Sequence, residues 1–233
     1  MSLAVEQRRS RDSNPTTDTR PTPRLTLKAD QPEEEMEAST SRRRFIAAMQ
    51  VTLDGFSVQD GFADWVDSWS DAIQLVGPVD TLIQGSGMYP GYGLYWRAIH
   101  VGAPEAAEML GRDTYPREIE TARLIAETPH LVLSTSLDTI EWPPNATIVR
   151  GIDELREFKA QPGGVGYVVG GARMVRSLLD EGLIDELVLI VHPVVVGGGE
   201  PLLAGVAHRH ELQLIDGEPG PDGRMHLRYH VND

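Results

Sequence analysis

The residues best suited to chemistry in this sequence are two glycines that follow an apolar run. Tyr167–Val169 leads directly into Gly170 and Gly171, and an amphipathic stretch begins at Ala172. Because glycine carries no side chain, such a turn can approach a pyrophosphate, and the free N–H groups of a following helix can bind it. The full G-x-G-x-x-G pattern is absent, so the turn by itself is equally consistent with a tight connection between a strand and a helix.

Two further turns of suitable composition also follow apolar runs. The stretch 84–93 reads QGSGMYPGYG, and the run at 130–133 leads into the hydroxyl groups of Ser134, Thr135 and Ser136. Each turn alone can be a capping turn. Several of them at the carboxyl edge of one sheet instead favour an extended ligand that lies across the strand ends.

A carboxylate, Asp54, lies directly before Gly55 at the end of the first predicted strand. An aspartate there is most often a turn residue, and its place at a strand end makes a substrate contact or a proton source the alternative. The seven histidines form no metal-ligand spacing with a carboxylate, so we predict no metal. The sequence lacks G-x-S-x-G and Walker A motifs, so a hydrolase elbow and a P-loop are unsupported.

The elements that must position these residues alternate between strands and helices. Apolar runs predict strands at 43–55, 79–85, 130–135, 146–149, 166–171 and 185–197, and a hairpin over 210–231. Amphipathic spacing predicts helices at 64–77, 94–100, 117–127, 153–160 and 172–182, with a loop over 101–116. Trp65 and Trp69 are expected in the core beside the first helix, and Asp153 is the expected N-cap of the fourth. This order predicts an α/β fold: a single domain with a mixed, mostly parallel sheet flanked by helices and a C-terminal antiparallel hairpin.

Composition narrows the function further. The first 42 residues are rich in Arg, Ser, Thr, Pro and Glu, which predicts a disordered N-terminal tail over 1–42 and one domain over 43–233. From residue 45 onward, 12 Lys and Arg face 27 Asp and Glu, and this net charge of −15 disfavours nucleic-acid binding. The absence of cysteine excludes disulfides, thiol catalysis and cysteine-bound zinc. No segment has the pattern of a signal peptide or membrane span, so we expect a cytoplasmic protein without membrane partners.

Five segments, taken in order, resemble the dihydrofolate reductase-like family, specifically the reductase domain of riboflavin biosynthesis and its stand-alone relatives. They are IAAMQVTLDGF, DTLIQGSGMYPGYGLYW, HLVLSTSLD, YVVGGARMVRSLLDEGLIDELVLIVHPVVVGGGEPLL and GRMHLRYHV, within residues 44–231. The resemblance implies a fold around a mixed sheet and an NADPH site along the strand ends, with NADH possible. It also implies a homodimer and hydride transfer to a small pterin-like or riboflavin-precursor-like heterocycle.

The resemblance also assigns residues to two sides of a site. The cofactor side comprises Ala48, Leu53, Gly55, Gly85, Ser86, Gly87, Met88, Tyr89, Ser134, Thr135, Ser136, Val169, Gly170, Gly171, Ala172, Arg173 and Met174. The substrate side comprises Thr52, Trp65, Pro193, Gly197 and Gly198, with Asp54 as the catalytic candidate.

Departures from the family pattern limit what the resemblance implies. Ser86 and Thr135 stand where the family usually has arginines suited to the adenosine 2′-phosphate, so the sequence leaves the choice between NADPH and NADH open. Ser70 stands where folate reductases carry an acid, which disfavours a folate substrate. The chain lacks the H-x-E and P-C-x-x-C motifs of the zinc deaminase that often precedes the reductase.

Two alternatives to a nicotinamide-dependent reductase stay open on the sequence. One is a non-catalytic ligand-binding module that keeps the fold, and the other is a reductase that uses a flavin or deazaflavin.

Overall fold

The computed structural model describes residues 42–58, 63–102 and 104–232, so the predicted tail lies outside it except for Arg42. The described strands are β1 (Arg44–Thr52), β2 (Phe56–Val58), β3 (Val79–Gly85), β4 (His130–Leu133), β5 (Ala146–Val149), β6 (Val165–Gly170), β7 (Glu186–His192), β8 (Glu200–Pro201), β9 (Leu212–Pro219) and β10 (Met225–Val231). The described α-helices are α1 (Asp71–Gln74), α2 (Tyr89–His100), α3 (Pro104–Leu110), α4 (Pro116–Glu127), α5 (Ile152–Ala160) and α6 (Ala172–Asp180). A short 3₁₀ turn spans Pro221–Gly223.

Eight strands form one sheet in the order β5-β4-β3-β6-β1-β7-β10-β9. The six strands from β5 to β7 are parallel, β10 pairs antiparallel with β7, and β9 completes the hairpin. β1 lies near the centre and is buried on both faces, which explains why its sequence is mostly apolar. The predicted fold class is confirmed. β2 and β8 form a separate two-stranded sheet.

Helices cover both faces of the large sheet. On one face α5 and α6 pack through side chains such as Leu155, Val175 and Leu178. On the other face α1, α2 and α4 pack through Ile73, Trp96 and others. Each buried side chain of this size contributes roughly 1.5–3 kcal/mol by burial. No helix in the described ranges is long and apolar enough to cross a membrane.

The helix predicted over 64–77 is wrong except for α1. The expectation that Trp69 lies in the core is also wrong, because its side chain is exposed. The apolar spacing there is helical, but the hydroxyl groups of Ser68 and Ser70 hydrogen-bond each other at 2.8 Å. The Ser68 carbonyl also accepts a hydrogen bond from Gln50 on β1 at 2.8 Å. These local and long-range bonds compete with the helical pattern.

The loop predicted over 101–116 contains α3, so that prediction is also wrong. Pro104 begins this helix, a position where its missing N–H costs nothing, and Gly111 follows its end at φ +64°. Proline therefore starts a helix here instead of breaking one.

Three boundaries also differ from the prediction. Helix α2 begins at Tyr89 rather than residue 94, with a proline in its first turn. Gly151, not Asp153, is the N-cap of α5, and Asp153 lies in the first turn, where its charge suits the helix dipole. Strand β7 ends at His192 because Pro193 has no N–H to continue the ladder.

Candidate cofactor and substrate site

The carboxyl ends of the parallel strands meet at one edge of the sheet. Gly85 at the end of β3 is in register with Leu133 of β4, which in turn faces Val149 of β5. Gln84 faces Gly170 at the end of β6. The turns that follow β3, β4 and β6 therefore lie side by side, as an extended ligand across the strand ends requires.

A single cavity of about 1600 Å³ opens along this edge. Pockets for one drug-sized ligand usually enclose about 300–1,000 Å³, so this cavity has room for a cofactor and a second ligand. Many of the residues predicted for the cofactor line it, namely Ala48, Gly85, Ser86, Gly87, Met88, Val169, Gly171, Ala172, Arg173 and Met174. We call the part formed by the turns 85–88 and 171–174 the phosphate end.

At the phosphate end the two glycine turns contact each other. A Cβ placed on Gly87 would lie 4.0 Å from the guanidinium of Arg173, and one on Gly85 would lie 3.5 Å from the sulfur of Met174. No side chain caps the start of α6, so its first N–H groups are available to an anion. Arg173 has no carboxylate partner among the described residues, whereas Arg176 pairs with Glu200 at 2.7 Å.

Gly170 and Gly171 lack a side chain for different structural reasons. Gly170 has φ +117°, and a Cβ there would lie 3.0 Å from the sulfur of Met49, so both conformation and space exclude a side chain. Gly171 has an ordinary φ of −74°, and a Cβ there would meet nothing within 4 Å. Since Gly171 lines the cavity, its missing side chain leaves room for a ligand rather than for the protein.

The hydroxyl-rich turn after β4 is stabilised by hydrogen bonds within the turn and by an arginine. Ser134 is buried, and its Oγ accepts hydrogen bonds from the amides of Ser136 and Leu137. Arg150 donates from Nη1 to the carbonyls of Ser134 at 3.1 Å and Leu137 at 2.7 Å. The hydroxyl-bearing residues Thr135 and Ser136 are exposed, so the turn presents hydroxyl groups and one cation at the edge of the sheet.

The other part of the cavity reaches between β1, α1, α2 and α4, and we call it the inner chamber. It is lined mainly by Gln50, Trp69, Tyr92, Tyr95, Trp96 and Tyr167. Several of these side chains belong to one packed cluster with Ala48 and Ile73. The inner chamber therefore has aromatic walls that suit a planar ring.

Gln50 forms the polar floor of the inner chamber. Its Nε2 donates to the Ser68 carbonyl at 2.8 Å, and its Oε1 accepts from His192 Nε2 at 2.9 Å. Burial lowers the pKa of His192, so the imidazole is neutral at physiological pH and holds the amide by hydrogen bonding alone. The orientation of Gln50 is thus fixed before any ligand binds.

A buried carboxylate, Glu118, lies behind the aromatic wall. Arg112 donates to both of its oxygens at 2.9 and 3.0 Å, and Ser68 Oγ and the Tyr115 amide donate at 2.8 and 2.9 Å. Burial raises the pKa of Glu118, but these hydrogen bonds outweigh burial and hold its pKa below the usual value. Tyr95 Oη donates to the same carboxylate at 3.4 Å.

The two other chamber tyrosines are also neutral and partnered. Tyr167 Oη donates to the Ala48 carbonyl at 3.3 Å, and Tyr92 Oη lies 3.5 Å from Nε2 of His130. Burial raises the pKa of both phenols, and for Tyr92 the nearby Tyr167 raises it further. Burial lowers the pKa of His130 to about 4, so this histidine is uncharged at neutral pH.

Asp54 does not line the cavity. Its carboxylate accepts hydrogen bonds from Thr52 Oγ1 at 2.6 Å and from the amides of Gly197 at 2.8 Å and Val196 at 3.2 Å. The Thr52 bond, with the two amides, lowers the pKa of Asp54. This ionised carboxylate links the 193–197 loop to the end of β1 through hydrogen bonds. Such a group is better suited to stabilising the loop than to donating a proton. Its catalytic assignment stays a prediction.

Several other predicted residues also lie away from the cavity lining. Tyr89 Oη accepts hydrogen bonds from the amides of Glu141 and Trp142 at 2.9 and 3.1 Å, and Leu53 is 67% exposed. The remaining predicted residues outside the lining are Thr52, Gly55, Trp65, Ser134, Thr135, Ser136, Gly170, Pro193, Gly197 and Gly198. Their ligand contacts stay predictions.

The sequence reasoning missed the inner chamber. Gln50 was detectable as a single polar residue inside the apolar run of β1, and Tyr92, Tyr95 and Trp96 as aromatics at helical spacing. Arg150 was detectable as a basic residue directly after β5 on the same sheet edge. The chamber itself had no sequence signal, because its residues come from five separate elements.

Comparisons with known proteins identify the family of this chain. A family model described as the RibD C-terminal domain matches residues 43–223. The chain belongs to the RibD C-terminal domain family. Within it, YyaP, an uncharacterized protein of Bacillus subtilis (strain 168), is 28% identical over 200 residues, which cover 84% of this chain and 100% of YyaP.

Solved structures place this RibD C-terminal domain in the dihydrofolate reductase-like fold. A provisionally named riboflavin biosynthesis protein from Shewanella sp. PV-4 matches with TM-score 0.59 and 21% identity, over 82% of this chain and 99% of that one. Enterococcus faecalis dihydrofolate reductase, complexed with NADP(H) and RAB-propyl, matches with TM-score 0.51 and 15% identity, over 82% and 97%.

A third structure joins a deaminase to a reductase. The Thermotoga maritima diaminohydroxyphosphoribosylaminopyrimidine deaminase/5-amino-6-(5-phosphoribosylamino)uracil reductase matches with TM-score 0.52 and 13% identity, over 82% of this chain and 57% of that one. Likeness at such identities shows the fold alone, and it confirms the predicted fold. The predicted family is confirmed by the family model that matches residues 43–223.

Proposed function

We propose that this protein is an NADPH-dependent reductase that transfers hydride to a small heterocycle held in the inner chamber. The observation that supports it is the continuity of one cavity from the phosphate end, past Ala48 on β1, to the aromatic walls around Gln50. A hydride donor and its acceptor must lie in contact, and one cavity with two chemically distinct parts provides for that. The E. faecalis structure with NADP(H) supports the choice of cofactor.

The residues present fit a dinucleotide. The diphosphate would lie against the N–H groups at the start of α6, beside Gly171 and the guanidinium of Arg173. Ala48 and Met49, which line the cavity between its two parts, would flank the nicotinamide. When bound, NADPH supplies the hydride, and the protein supplies position and a water-poor chamber.

Arg150 is the residue we assign to the adenosine 2′-phosphate. Ser86 and Thr135 stand where the family pattern has arginines, but Arg150 places a guanidinium against the same turn, with Nη2 unused by the described residues. Glu154 accepts a hydrogen bond from the Arg150 amide at 3.0 Å, and its negative charge weakens the local attraction for an anion. The resulting preference for NADPH over NADH is therefore modest.

Calorimetric titration tests the proposal directly. NADPH should bind with Kd well below 1 mM and NADH more weakly, and candidate heterocycles should then accelerate NADPH oxidation. If neither nucleotide binds better than about 1 mM, roughly −4 kcal/mol, the proposal fails. Binding of NADPH without oxidation by any heterocycle would instead support the non-catalytic module. If the absorbance spectrum of the purified protein shows that it retains a flavin, the flavin alternative is favoured.

A further inference from the structure

Three polar side chains of the inner chamber already form hydrogen bonds within the protein. The amide of Gln50 bonds to Ser68 and His192, and the hydroxyl groups of Tyr95 and Tyr167 donate to Glu118 and to the Ala48 carbonyl. Breaking any of these bonds to serve a ligand would leave a buried polar group unpaired, which is unfavourable. The chamber therefore offers a ligand aromatic faces more than free hydrogen-bonding groups.

The chamber also presents no net charge. Behind the chamber wall, Arg112 donates to both oxygens of Glu118 and to the carbonyls of Asp67 and Asp113. Glu118 is fully buried, so the pair is satisfied internally.

Among the described residues that line the cavity, the basic ones are Arg173 at the phosphate end and His208, which directly follows Ala207. The amide of Ala207 donates to Asp180 at the end of α6. Arg117 and Arg224, which lie beside α1, both pair with the carboxylate of Asp71, at 3.0 and 2.7 Å.

A phosphorylated substrate conflicts with this lining. A phosphate entering the chamber would lose water without gaining a cation, and burying an uncompensated charge costs several kcal/mol. The T. maritima reductase is named for a phosphoribosyl substrate, which carries such a group. Family membership therefore does not transfer that substrate to this chain.

We propose that the substrate of this protein is a planar, uncharged heterocycle without a phosphate group. The proposal rests on the proposed reductase function, since it names the substrate class of the same site. Stacking against the aromatic walls supplies the affinity, and the fixed amide of Gln50 orients the ring through its remaining N–H.

Matched pairs of ligands test the proposal. Riboflavin and FMN share a ring system and differ by one phosphate, as do 5-amino-6-ribosylaminouracil and its 5′-phosphate. Calorimetry on the full chain, with and without saturating NADPH, should show the unphosphorylated member of at least one pair binding about tenfold tighter or more. Equal or tighter binding of the phosphorylated member overturns the proposal, and so does no binding by any of the four compounds.

A variant at the chamber mouth provides a second test. Trp69 is 42% exposed, so its replacement leaves the packed core intact. Trp69→Arg adds a cation and should shift the affinity ratio about fivefold or more towards the phosphorylated member, whereas the size control Trp69→Leu should not. Equal ratios in both variants would contradict an electrostatic origin of the selectivity. Failure of the reductase proposal is distinguishable, because it would appear as missing NADPH binding. The ligand pairs are also measured without NADPH, so their affinities can be compared in either case.

Discussion

The two parts of the cavity meet along β1 but are built from different materials. The phosphate end consists of glycine-rich backbone turns, a helix start without a side-chain cap, and Arg173, which no described carboxylate neutralises. The inner chamber consists of large side chains whose polar atoms already have partners, with Arg112 and Glu118 neutralising each other behind the wall. One part has unsatisfied positive charge, and the other has none.

This difference explains how one cavity can bind two ligands, each in its own part. An anion gains hydrogen bonds and charge pairing only at the phosphate end, so it does not compete for the chamber. A planar apolar ring gains burial only between the aromatic walls. The two ligands are therefore sorted by charge before any specific contact is considered. The following experiments test each part separately, from the largest expected effect to the smallest.

Gly171→Val should have the largest effect. Its side chain would project into the open space that the diphosphate needs, so NADPH affinity should fall on the order of 100-fold, about 2.7 kcal/mol. Calorimetry measures the loss, and circular dichroism checks the fold. The matched control Gly164→Ala changes a glycine at the opposite end of β6 and should bind NADPH normally. Unchanged affinity in a folded Gly171→Val protein would remove the phosphate end from the site.

Arg173→Ala should weaken NADPH by about 30-fold, on the order of 2 kcal/mol, because a charge-assisted hydrogen bond is lost. NADH should weaken equally, since both cofactors carry the diphosphate. Arg123→Ala removes the same charge from the exposed side of α4 and serves as control. Equal effects of the two variants would mean that net charge, not position, determines binding.

The third experiment tests the pH sensitivity of the inner chamber. His130 has a pKa near 4 in the folded chain and about 6.5 when unfolded, so between these values the unfolded chain binds more protons. Stability should therefore fall as pH drops through this window, by about 1.4 kcal/mol per pH unit from this residue. Urea unfolding of wild type and His130→Gln at pH 7.5 and 5.5 isolates the contribution. Identical pH dependence in both proteins would show that His130 is not responsible.

Arg150→Ala should have the smallest effect and the most selective one. NADPH affinity should fall about fivefold, roughly 1 kcal/mol, while NADH affinity should not change, because only NADPH has the 2′-phosphate. Arg150→Lys keeps a charge and should recover part of the loss. A parallel loss for both cofactors would indicate that Arg150 only supports the Ser134–Ser136 turn.

The alternation of strands and helices along the chain, the glycine turns and the family were predictable from the sequence, because each has a local signature. An apolar run such as the one in β1 predicts a buried strand wherever it lies in the sheet. The errors have other causes: the spacing over 64–77 is helical, but Ser68 accepts a hydrogen bond from the distant Gln50. The segment 101–116 was predicted as a loop, because the sequence does not show that Pro104 occupies the first turn of a helix.

The sequence by itself determined the α/β architecture, the acidic surface and the presence of glycines that can admit a phosphate. Only the tertiary structure decided which polar groups are free. Gln50, Glu118 and Arg173 are all capable of binding a ligand, but Glu118 is satisfied by Arg112, Gln50 keeps only one N–H free of Ser68 and His192, and Arg173 has no carboxylate partner among the described residues. The physical reason is that a polar group bonds to whichever donor or acceptor the fold brings within about 3 Å of it. Those partners come from distant parts of the chain, so the sequence alone does not reveal them.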